Sequence, residues 1–163
     1  MITKIISGGQ SGSDRGALDA CLALGVPHGG FCPRGRKAED GVIPACYNLI
    51  EHESEGYPAR TAANVESSDG TVIFTMGAMT PGSRLTMNIC KSLGRPWLHI
   101  DVTGVWDGKF TATHGIILNF LQNNFITVLN VAGSRESSAP GIQKSVASLL
   151  RCVLISQPEY TGN

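Results

Sequence analysis

The chain reads as an α/β protein, a Rossmann-like three-layer sandwich with a mainly parallel sheet. Three observations predict this. Short, mainly apolar runs recur at residues 2–7, 71–75 and 126–131, as expected of strands buried on both faces. Amphipathic segments with helical spacing lie between the runs. Glycine-bearing loops follow Ile6, Phe74 and Val131, and parallel sheets of this kind bind ligands beyond the carboxyl ends of their strands.

The elements follow in order. Residues 2–7 form a strand ended by Gly8-Gly9. A helix over 14–24 places Ala17, Leu18, Cys21, Leu22 and Leu24 at helical spacing, and Gly25 stops it. Val26-Pro27 begins an extended segment. Residues 29–46, rich in Gly, Pro and charge, read as a long irregular region, and such loops in compact domains tend to be functional or disordered. A short strand over 47–52 and a helix over 57–67, opened by Pro58, come next. Asp69-Gly70 turns the chain into the strand 71–75. After the loop 77–82, a helix over 83–93 ends at Gly94, and a strand covers 97–101. A helix over 113–123 carries Ile116, Ile117, Phe120 and Leu121 on one face. The strand 126–131 and a helix over 140–155, with Ile142, Val146, Leu149, Leu150, Val153 and Leu154 at helical spacing, close the series.

Bulk properties narrow the function classes. The 163 residues suit a single ligand-binding domain over 1–163. Thirteen Lys and Arg balance thirteen Asp and Glu, which argues against bulk attraction to nucleic acid or an anionic membrane. Five cysteines without C-x-x-C spacing argue against a disulfide framework or zinc site and point to the cytoplasm. The apolar start is too short for a signal peptide, and no run approaches the ~20 apolar residues of a membrane span. His28, His52, His99 and His114 show no metal-ligand spacing.

Four loops are candidates for chemistry. In Gly8-Gly9-Gln10-Ser11-Gly12-Ser13-Asp14-Arg15, glycines between a strand and a helix let backbone amides approach an anion at the helix's positive end. The bland alternative is a tight turn with Ser11 as N-cap and Asp14 in a capping box. Asp14 would repel a bare phosphate unless a cation or a ribose hydroxyl lies between them; capping the helix or pairing with Arg15 are the alternative roles. In Cys32-Pro33-Arg34-Gly35-Arg36-Lys37-Ala38-Glu39-Asp40-Gly41, Arg34 and Arg36 suit phosphate oxygens, and Glu39 or Asp40 suits acid–base work or a magnesium ligand. A solvated loop with internal ion pairs fits equally well. Cys32 beside those arginines reads as a plain thiol. Gly82, Ser83 and Thr86 repeat the anion-cradle pattern at another helix start, with Ser83 as the alternative cap. Asn130, Gly133, Ser134 and Arg135 lie past the strand 126–131, where Arg135 suits a phosphate or carboxylate. Arg60 and Asn64 share one face of the helix 57–67.

Taken in order, these segments resemble a known family. Ser7 to Gly16, Gly30 to Gly41, then Tyr57, Arg60-Thr61, Asn64-Val65, Ser68-Asp69-Gly70-Thr71 and finally Leu129 to Arg135 are similar to the family named for putative molybdenum carriers, the circularly permuted branch of the Rossmann-like SLOG superfamily. The resemblance implies a Rossmann-like fold, a pocket built from the glycine loops, a nucleotide or the molybdenum cofactor as phosphate-bearing ligand, and a homo-oligomer. The chain departs from related nucleoside-monophosphate hydrolases. Their Pro-Gly-Gly-x-Gly-Thr-x-x-Glu signature has only Pro81-Gly82-Ser83-Arg84-Leu85-Thr86-Met87-Asn88 as counterpart, without the glutamate.

The primary expectation is therefore a carrier or binding protein. Its loops at Gly8–Arg15 and Gly82–Thr86 cradle phosphate, Arg34, Arg36 and Arg135 neutralise charge, and Asp14 or Asp69 contacts a hydroxyl or cation. The alternative is an enzyme cleaving an N-glycosidic bond with Glu39 or Asp40 as acid or base.

Overall fold

The structure, a computed structural model, describes residues 1–54 and 57–157, apart from the side chains of residues 107–108. The elements run β1 (Lys4–Ser7), α1 (Ser13–Leu24), β2 (His28–Gly29), β3 (Phe31–Cys32), β4 (Lys37–Ala38), β5 (Gly41–Val42), β6 (Ile50–Glu51), α2 (Tyr57–Glu66), β7 (Gly70–Thr75), α3 (Pro81–Ser92), β8 (Trp97–Asp101), α4 (Phe110–Asn123), β9 (Val128–Gly133) and α5 (Ile142–Ile155).

Five strands form one all-parallel sheet in the order β2-β1-β9-β7-β8. The chain is thus α/β with a Rossmann-like sandwich. Residues of β1 and β7 are almost all buried, which explains their mainly apolar composition. The register sets Ile5 beside Leu129, Val72 beside Val131 and Phe74 beside Ile100. These side chains join Ala17, Cys21, Ile117, Leu121, Val146, Leu149 and Leu150 in the main core, so α1, α4 and α5 cover that face.

Handedness places the other layer. From β1 the chain crosses to β2 at one edge, and from β7 it crosses to β8 at the other. Right-handed crossovers in opposite directions put α1 and α3 on opposite faces. No residue of α2 or α3 appears in the main core cluster, and α3 packs instead on β7 and β9. A crevice opens where the two directions diverge, at the carboxyl ends of β1, β9 and β7.

Sequence and structure differ in places. The strand expected over 126–131 is displaced to Val128–Gly133, because residues 126–127 complete the turn out of α4 and Asp69 binds Thr127 N and Val128 N at 2.9 and 2.7 Å. The final helix starts at Ile142, since Gly141 takes the left-handed conformation with φ 88°. The irregular region 29–46 contains two-residue strands, with β3 pairing β6 and β4 pairing β5. Arg36 holds this loop together by donating to the carbonyls of Ile43, Leu49, Pro44 and Tyr47 at 2.9–3.2 Å.

Cys21, Cys32, Cys46, Cys90 and Cys152 are free. Burial pushes the Cys21 thiol up to about 12 and raises Cys32, so both are plain buried thiols. Among the described residues, no helix is long and apolar enough to cross a membrane, and no group of three His, Cys, Asp or Glu converges as a metal site.

Candidate functional site

A cleft of about 150 Å³ lies at the carboxyl ends of β1, β9 and β7. It is smaller than a typical drug-sized pocket of roughly 300 Å³ or more, so it suits one end of a ligand. The loop after β1 contributes Gly8 and Gln10, the first turn of α1 contributes Asp14, and β9 with its loop contributes Asn130 to Gly133 and Arg135. Gly82, Leu85 and Thr86 come from α3, and Tyr57, Arg60, Thr61 and Asn64 from α2.

The loop after β1 owes its shape to close backbone packing. Gly12 has φ 85°, and a Cβ there would stand 2.5 Å from Ser134 O and 2.6 Å from Glu136 N. Ser13 N and Oγ both donate to Ser134 O, at 3.0 and 3.1 Å. The first and last loops are therefore one stitched unit. Gly12 is the residue preceding α1, and no side chain caps that helix. Asp14 Oδ2 instead accepts Gln10 N at 3.3 Å.

Asp14 is 8% exposed. Burial raises its carboxyl to about 6, against the opposing pull of Arg60, the Gln10 and Gly8 backbone and Arg135. Arg60 Nη1 donates to Gly8 O at 3.2 Å, while its buried Nε has no partner. The guanidinium groups of Arg60 and Arg135 lie 5.5 and 5.6 Å from the Tyr57 ring centroid. The cleft thus has two cations near one aromatic ring and a buried carboxyl on its floor.

On α3, Thr80 is the N-cap and accepts Ser83 N at 3.2 Å. Ser83 is buried outside the lining, while Thr86 faces the cleft and donates back to Gly82 O at 3.2 Å. Asn130 faces the cleft and donates to Thr71 Oγ1 at 3.1 Å.

Of the residues singled out from sequence, Gly8, Gln10, Asp14, Gly82, Thr86, Asn130, Gly133 and Arg135 line the cleft. Others take structural partners. Arg15 forms a two-pronged ion pair with Asp40, with Nη2–Oδ1 at 2.8 Å, and Nε donates to Gly9 O at 3.1 Å. Glu39 accepts from Ser11 Oγ, Ser137 N (3.1 Å) and Ser137 Oγ (2.5 Å). Partial burial opposes ionisation of Glu39, but those hydrogen bonds and Arg135 outweigh it and lower its titration. Neither Glu39 nor Asp40 is part of the lining. Gly9, Ser11, Gly12, Gly35, Arg36 and Ser134 shape the loops without lining the cleft, and Arg34 is exposed outside it. Asp69 lies at the opposite end of the sheet, where it accepts from Thr127 and Val128.

Sequence reasoning did not single out Tyr57 and Thr61 as ligand contacts, and it left Arg60 and Asn64 at a shared helix face. The signal was present: positions 57, 60, 61 and 64 form a polar stripe at helical spacing, with Thr61 and Asn64 buried. Asn64 mimics a backbone partner, accepting from Phe31 N at 2.8 Å and donating to Phe31 O at 3.0 Å.

The family model described as "Circularly permutated YpsA SLOG family" matches residues 5–154. The chain is also similar to the crystal structure of a protein named "Putative molybdenum carrier protein" from Syntrophus aciditrophicus SB. The two are 40% identical with a TM-score of 0.88, over 94% of this chain and 95% of that one. No curated protein matches the chain. With nearly its whole length covered by that model, and its loop motifs converging at the strand ends, the chain belongs to the circularly permutated YpsA SLOG family.

Proposed function

We propose that this chain is a binding or carrier protein that holds a phosphate-bearing small molecule, a nucleotide or the molybdenum cofactor, in the cleft beyond β1, β9 and β7. The observation that carries this reading is the pair Arg60 and Arg135, both beside Tyr57 in the lining of a cleft that glycines help to form. Guanidinium groups recognise phosphate oxygens with two-pronged geometry, and Arg60 Nε has an unused donor. The first turn of α3, capped by Thr80, brings Gly82 and its positive dipole end to the lining. The name of the similar solved structure, a molybdenum carrier, agrees with this class of ligand. We include in the proposal a cytoplasmic setting and a homo-oligomeric assembly.

A panel of nucleoside monophosphates, inorganic phosphate and isolated molybdenum cofactor tests the reading by thermal melting. At least one compound is expected to raise the melting temperature, and Arg135→Ala to remove most of the rise. A flat response across the panel sinks the proposal.

One observation favours a second reading, cleavage of an N-glycosidic bond. Asp14 is a buried carboxyl in the cleft that titrates near 6, suited to proton transfer at neutral pH. In that case Asp14, rather than Glu39 or Asp40, supplies the acid or base. Release of free base from nucleoside monophosphates, lost in Asp14→Asn and kept in Glu39→Gln, is the expected pattern. No turnover with any nucleotide removes this reading.

A further inference from the structure

Asp14 does not fit a plain anion site. Its carboxyl is buried, its hydrogen bond from Gln10 N is long at 3.3 Å, and it forms no direct ion pair with Arg60. Arg60 nonetheless comes close. A Cβ at Gly8 would collide with Arg60 Nη1 and stand 2.9 Å from Asp14 Oδ2. The guanidinium nitrogen and the carboxylate oxygen therefore stand on either side of the Gly8 Cα, close to each other but beyond ion-pair distance. Glycine at position 8 makes room for the Arg60 guanidinium to approach Asp14, and Arg60 Nε is a buried donor without a partner.

The chemistry of the two walls selects what fits between them. Asp14 as a carboxylate only accepts, and Arg60 only donates. A phosphate oxygen lacks a proton to give and is repelled by Asp14. An ammonium group or metal cation is repelled by Arg60. A hydroxyl group satisfies both walls at once, donating to Asp14 and accepting from Arg60.

We propose that the cleft takes a phosphate ester carrying a free hydroxyl group, with that hydroxyl bridging Asp14 Oδ2 and Arg60 Nη1 and the phosphate lying toward Arg135. The inference rests on the phosphate reading and narrows it to sugar phosphates and ribonucleotides. Molybdopterin in its closed tricyclic form has no such hydroxyl and matches this pair less well. Arg60 and Arg135 are the charged groups of the lining that face Asp14, while β9 and α3 present uncharged Asn130, Gly82, Leu85 and Thr86.

Calorimetric titration of the full chain at pH 7.5 tests the idea with three probes: GMP, 2′,3′-dideoxy-GMP and inorganic phosphate. GMP is expected to bind at least tenfold more tightly than its dideoxy form, the scale of a hydrogen bond to a charged group. Asp14→Asn should shrink that ratio below threefold and strengthen binding of inorganic phosphate, because the repelling charge is gone. Equal affinity of GMP and dideoxy-GMP for the unmodified chain overturns this inference and leaves the phosphate reading standing. Saturable binding of inorganic phosphate with no binding of GMP also overturns it. Absence of binding by all three probes overturns the phosphate reading, and the inference with it. If Asp14→Asn does not fold, the GMP pair on the unmodified chain decides alone.

Discussion

Asp14 is where stability and function pull apart. Its carboxyl titrates near 6 in the folded chain, against 3.8 for an ordinary aspartate. The folded state holds that proton more tightly than the unfolded chain does. Its contribution to stability is therefore full below pH ~3.8 and is lost as pH rises through about 6. Asn keeps the acceptor for Gln10 N and never ionises. Asp14→Asn should stabilise the chain at pH 7.5 by on the order of 2 kcal/mol, raising the melting temperature by several degrees, and the gain should vanish near pH 4. Unchanged melting at pH 7.5 would show that the buried charge is not destabilising. Arg36 behaves oppositely. Its guanidinium bonds four carbonyls of the loop 43–49, whose Ile43 and Leu49 side chains pack against Gly9. Arg36→Ala should cost about 2–4 kcal/mol in urea denaturation, and an effect under 0.5 kcal/mol would refute this role. Residue type alone did not separate these arginines. Arg15, Arg36 and Arg135 all lie in segments read as ligand-binding, yet the partners that distinguish them come from distant segments: Asp40 for Arg15, and the carbonyls of 43–49 for Arg36.

At the level of elements, α1 and α5 pack against each other over the sheet. Leu149 of α5 is completely buried there. Leu149→Ala should destabilise by roughly 2–5 kcal/mol, read as a lower urea midpoint, while leaving the cleft on the other side of the strand ends intact. Equal loss of stability and ligand affinity at saturating fold would contradict that separation. The helices and central strands were legible because their apolar spacing reports burial directly. The strand over 97–101 coincides with β8, and Gly25 ends α1 in the left-handed conformation as its position suggests. The pairing of β3 with β6 was not legible, because two-residue strands carry no periodicity and depend on Asn64 binding Phe31 from another element. The polar stripe of α2 was legible in spacing, but its target is set by the crossover that carries α2 to the strand ends.

For the whole molecule, the strand order decides where loops meet. The three glycine loops are far apart in sequence, yet β1, β9 and β7 are neighbours, so their carboxyl ends form one rim. The sequence showed that each loop follows a strand; only the order of the strands shows that the loops share a cleft. Right-handed crossovers to opposite edges then open that rim between α1 and α3. Its charge pattern, two arginines over a buried carboxyl, underlies the proposal of a carrier for a phosphate-bearing molecule. The most direct measurement of that claim is mass spectrometry of small molecules released from natively purified chain, compared with Arg135→Ala, which removes an exposed side chain. The account expects a phosphorus-containing compound in near-stoichiometric amount from the unmodified chain and a several-fold loss from the variant. Equal yields from both, or no phosphorus-containing compound from the unmodified chain even after incubation with a cell extract, would contradict it.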